Sequence, residues 1–172
     1  MRAIGKGSLA SILAIGLHVT RIILVIAVVG LTIAMVMIPF ASGLIAFVGG
    51  FDNVDIDGDI GIDIADYFDI AYSFVAAVVM LYVVNRLLEI LLTLRLETPF
   101  VKENADRFRA VGYALLIGEG AKFVFAILGV IFGAELDIDF EFIAWLAIIA
   151  VFVLSEVFME GARMKEEQDL TV

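Results

Sequence analysis

Ile22-Ile-Leu-Val-Ile-Ala-Val-Val-Gly-Leu-Thr-Ile-Ala-Met-Val-Met-Ile-Pro-Phe-Ala-Ser-Gly-Leu-Ile-Ala-Phe-Val-Gly-Gly-Phe51 runs for 30 residues without an Asp, Glu, Lys or Arg. As a helix it is about 45 Å long, more than the roughly 30 Å of hydrocarbon in a bilayer. A helix of this length must tilt, kink or emerge, and Pro39, which lacks a backbone donor, is the expected kink. Working outward, three further apolar runs follow. The spans are expected at about 22–49, 70–94, 110–134 and 142–161. The whole chain agrees, with 63% hydrophobic residues, 19% charged residues and a mean hydropathy of +1.09. Soluble domains average about 45–50% apolar residues. The expected fold is an all-α integral membrane domain of four transmembrane helices in two hairpins.

The composition also removes chemistry. There is no cysteine, and His18 is the single histidine. Thiolate nucleophiles, disulfides and cysteine–histidine metal sites are therefore excluded. No cofactor is expected. Gly5-Lys6-Gly7-Ser8 is no phosphate loop, because the earlier glycine and the preceding strand are missing.

Charge orients the spans. Asp52 to Asp69 holds seven Asp and no base, and Glu135 to Glu141 holds four acids and no base. Arg2, Lys6 and Arg21, then Arg95, Lys102, Arg107 and Arg109, then Arg163 and Lys165 lie on the opposite side. Cytoplasmic loops are the ones enriched in Lys and Arg. Connections 50–69 and 135–141 are thus read as outer, 95–109 as inner, and both termini as cytoplasmic. Arg2 and Lys6 before Leu9–Leu17 imitate a signal peptide, but no small-residue cleavage site follows. Residues 1–21 are read instead as a retained interfacial helix, with His18 at the headgroup boundary.

Both outer connections alternate with period two. In 54–64 the even positions are apolar except Gly58, and 135–142 repeats that parity. Strict alternation predicts short acidic β-strands lying on the helix ends. Asn53-x-Asp55-x-Asp57-Gly58 resembles the first half of an EF-hand loop, but its twelfth position would be Ile64 rather than a bidentate Glu. Asp55, Asp57 and Asp59 are therefore weak metal candidates, and a solvated acidic face is the expectation.

Arg86, Glu89, Glu119, Lys122 and Glu156 fall within the spans, at depths of roughly 8–17 Å from the inner ends. Charges there are costly and are usually paired or face a polar cavity. They read either as a structural network tying three helices or as an ion or proton relay, and the first is preferred. Gly129-x-x-x-Gly133 permits close helix approach, in cis or in a homo-oligomer.

In the inner connection, Thr98 is expected to cap a helix starting at Pro99. Lys102 with Asp106, and Glu103 with Arg107, are expected as i,i+4 pairs. Thr98-Pro-Phe-Val-Lys-Glu-Asn-Ala-Asp-Arg-Phe-Arg-Ala-Val-Gly112 resembles the G-x-PF-x-x-EN-x-x-RL-x-x-IG stretch of the domain of unknown function 2975 family. Leu154-Ser-Glu-Val-Phe-Met-Glu-Gly-Ala-Arg163 with Asp169-Leu-Thr-Val172 is similar to that family's closing segment. Pro99, Phe100, Glu103, Asn104, Arg107, Gly112, Phe158 and Gly161 carry the resemblance; Thr98, Phe108 and Met164 depart from it. The resemblance implies a bacterial four-span membrane protein whose genes often neighbour small Cro-like helix-turn-helix regulators, and it lends no catalytic residue. The functional expectation is a non-enzymatic protein of the bacterial inner membrane that conveys an envelope state to such a regulator. Its partners would be the bilayer and the regulator, with no direct nucleic-acid contact. The alternative is a small transporter or channel using the buried charges.

Overall fold

Apolar composition over long uninterrupted stretches leaves the backbone one way to satisfy its own polar groups in lipid, the helix. In the computed structural model, which describes residues 9–49, 64–96, 99–132 and 140–170, four helices follow one another: α1 (Leu9–Gly49), α2 (Ile64–Arg95), α3 (Lys102–Ile131) and α4 (Phe142–Asp169). All four are long and apolar enough to cross a membrane, which marks the chain as a multi-pass membrane protein. Their surfaces agree, since Ile143, Ile131 and Ile22 are more than half exposed. Apolar patches of that extent are stable only against lipid or a partner.

Among the described residues there is no β-strand, and the expected strands in the two connections are corrected. Ile64 to Asp69, placed in the first connection, form the opening turns of α2. Phe142, the last residue of the second alternating pattern, opens α4 behind Glu141. The physical reason is continuity. Each alternating pattern abuts a long apolar run, and helix propagation from that run adds one hydrogen bond per residue fixed. Asp55, Asp57 and Asp59, together with 133–139, lie outside the described residues.

α1 also differs from expectation. The interfacial segment and first span form one helix of 41 residues that passes through Pro39. α3 begins at Lys102 with Val101 as its N-cap, not at Thr98-Pro99.

The helices form an open row. α1 packs on α2, α2 on α3 and α3 on α4, and among the described residues no other pair comes together. The core lies at the α2–α3 seam, where Val83, Val111 and Ala114 are buried and Val79, Leu87, Leu115 and Val151 close over them. Gly118 lets Val79 approach to 3.3 Å of where a Cβ would sit. α4 is displaced along the row. Its first turn meets Lys122 of α3 through Glu141, so α3 continues from Lys122 to Ile131 beyond it. At the other end α4 passes its contact with Phe100 at Gly161 and runs on to Asp169.

Candidate functional site: an asparagine-centred latch

The α2–α3 turn and the last turns of α4 share one end of the row, here the basic end. Asn104, in the first turn of α3, is fully buried there. Its amide donates to Thr93 Oγ1 at 2.6 Å and to the Pro99 carbonyl at 2.8 Å. Its Oδ1 accepts from Arg107 at 2.8 Å. Thr93 in turn donates to the Ile90 carbonyl at 2.7 Å. One side chain therefore holds the end of α2, the turn and the start of α3. A buried amide so engaged adds about 1 kcal/mol per bond, and leaving its partners unmatched costs about 1–3 kcal/mol each.

Arg107 extends the network. Its Nε donates to Glu89 Oε2 at 3.1 Å, and Arg86 donates to the same oxygen at 2.9 Å while covering the Tyr82 ring. A single carboxylate thus joins two guanidinium groups across the seam. α4 is tied in by Ser155, fully buried, whose hydroxyl donates to the Ala105 carbonyl at 2.9 Å. At the surface Arg109 pairs with Glu156 at 3.0 Å.

Aromatic packing completes the tie. Phe158 lies between Phe100 and Phe108, with ring centroids 5.6 and 4.8 Å away. The absence of a Cβ is required at two positions. At Gly161 it would stand 2.6 Å from the Phe100 ring, and at Gly112 2.9 Å from the Phe152 ring.

The residues singled out from the sequence divide clearly. Pro99, Phe100, Asn104, Arg107, Gly112, Phe158 and Gly161 converge on the latch. Glu103 does not, because Arg107 turns to Glu89 and Asn104 and leaves Glu103 exposed. Lys102 and Asp106 are likewise exposed. The five intramembrane charges do not meet as one cluster. Arg86 and Glu89 belong to the latch, Glu156 pairs with Arg109, and Lys122 reaches Glu141 at 3.7 Å toward the far end. Glu119 is half-buried on α3. Lys122 follows Arg107 by 15 residues, about 22 Å of helix.

Sequence reading missed Thr93 and Ser155. Each is a small hydroxyl inside an apolar run, and that isolation was the available signal. The arrangement binds helices to one another and presents no nucleophile beside a base. Among the described residues no group of three His, Cys, Asp or Glu could hold a metal ion.

No match is found among curated proteins or among solved structures. A family model does match, over residues 63–172, which spans α2, α3, α4 and the whole latch. The chain belongs to the family described as Protein of unknown function (DUF2975).

Proposed function

We propose that this is a non-enzymatic protein of the bacterial inner membrane, with both termini in the cytoplasm, that conveys a state of the envelope to a cytoplasmic partner. The observation that carries this reading is the orientation of the motif residues. All of them but Glu103 gather at the latch that pins three helices at the basic end, and beside it Lys102, Glu103, Asp106 and the end of α4 stand exposed. A change in how α2, α3 and α4 pack would move that charged surface, and a docked protein would read the movement. The family resemblance makes a neighbouring helix-turn-helix regulator the partner to try first.

A photo-crosslinking residue at Lys102 or Asp106 should capture the co-expressed regulator. Asn104→Leu should change the regulator's reporter output while the protein stays in the membrane. Absence of the adduct, with a reporter indifferent to deletion of the protein, would overturn the reading.

The transporter alternative rests on the charges within the spans. A relay is disfavoured by the uncharged stretch 110–118 of α3, which leaves about 15 Å of helix between Arg109 and Glu119. Proton flux in liposomes that Lys122→Met abolishes without unfolding the protein would favour transport instead.

A further inference from the structure

Two tiers of charge enclose the middle of α2, α3 and α4. At the basic end Arg86, Glu89 and Arg107 join α2 to α3, and Arg109 with Glu156 joins α3 to α4. At the far end Lys122 meets Glu141, and Asp69 closes the uncharged run of α2. Asp69 to Arg86, Arg109 to Lys122 and Glu141 to Glu156 are 17, 13 and 15 residue steps. At about 1.5 Å per residue these are about 26, 20 and 22 Å. Glu119, one turn inside Lys122, narrows the interval on α3 further. Every interval is shorter than the roughly 30 Å of an average hydrocarbon layer.

Long Lys and Arg side chains can make up such a shortfall by reaching for the headgroups. Here the cations are held by carboxylates, whose side chains are short. The Glu141 and Glu156 side chains are 67% and 71% exposed on the surface of α4, so a layer of average depth would press lipid tails against them. Sliding the protein toward the basic end, so that the layer follows α3 to Ile131, would submerge Glu141. Such charges are among the costliest groups in a membrane.

We propose that the α2–α4 part of the protein is matched to lipid of short acyl chains, and that it draws a thicker bilayer inward around its perimeter. α1, with 28 consecutive uncharged residues from 22 to 49, can cross either layer by tilting. Resting on the role proposed above, bilayer thickness is then the envelope state conveyed.

The test uses the full chain in phosphatidylcholine vesicles that contain no other protein, so that it reads the match and not the signalling. The chains are monounsaturated and run from myristoleoyl to erucoyl. The melting temperature should be highest in the shortest-chain vesicles and fall by several degrees toward the longest. Trp145, the single tryptophan, stacks on Phe140 beside Glu141 and reports depth. Its fluorescence should be quenched more by lipids brominated near the headgroup than by lipids brominated near the chain end. A melting temperature that is flat or rises with chain length, or stronger quenching from the chain ends, overturns the proposal. Loss of regulator coupling with the lipid profile intact would instead overturn the signalling role alone.

Discussion

Within α1, residues 22–49 are 28 consecutive uncharged residues, and among the described residues α1 packs on α2 alone, whereas α2, α3 and α4 carry charges inside their spans and are tied by hydrogen bonds, ion pairs and ring contacts. The glycines make the contrast concrete. A Cβ at Gly16 or Gly30 of α1 would meet nothing within 4 Å, while one at Gly112 or Gly161 would run into an aromatic ring. Membrane insertion needs only apolar length, and α1 supplies it. Holding a particular packing needs directional contacts, because lipid tails offer no hydrophobic drive between helices. The two regions therefore separate insertion from specificity.

The comparison breaks most sharply at Asn104. Asn104→Leu strips the Thr93 hydroxyl, the Pro99 carbonyl and Arg107 of a common partner. A loss of about 3 kcal/mol is expected, read as a fall in melting temperature in detergent. Gly161→Ala comes next, at about 1–3 kcal/mol, since the Phe100 ring must move. Gly30→Ala in α1 should do the reverse, leaving stability unchanged or raising it by up to about 1 kcal/mol through helix propensity. An equal loss at both glycines would erase the distinction between the regions. Ser155→Ala removes one buried bond to Ala105 and should cost about 1 kcal/mol. Lys122→Met is expected to cost less than about 1 kcal/mol, because Glu141, 3.7 Å away, is largely exposed.

The first span was legible as an uncharged run of 30 residues, and the other three as apolar runs of about 20 to 25 residues broken by only two charges each. The motif residues Asn104, Gly112 and Gly161 were legible only as a resemblance. Their work is contact with Thr93, Phe152 and Phe100, which lie on other segments, and no local pattern encodes such pairings. The acidic alternation was misread where the described residues test it. Period two is a strand signal only when the neighbouring chain does not already propagate a helix, and Ile64 and Phe142 were recruited by α2 and α4. The charge pairing between helices was hidden for a related reason. A spacing of four suggested Glu103 as the partner of Arg107 within one helix, whereas Arg107 turns across the seam to Glu89. The offset of α4 also brings Glu141 to Lys122 and Glu156 to Arg109, pairings between segments that no local spacing encodes.

The central claim, that α2 and α3 are locked at the basic end through Asn104, is tested most directly by a double-mutant cycle. Thr93→Val, Asn104→Leu and the combined variant would be melted in the same detergent. Thr93 and Asn104 share a 2.6 Å hydrogen bond, so the two losses should fall short of additivity by about 1 kcal/mol. Losses that add to within about 0.3 kcal/mol would mean that the two residues act independently, and would contradict the latch.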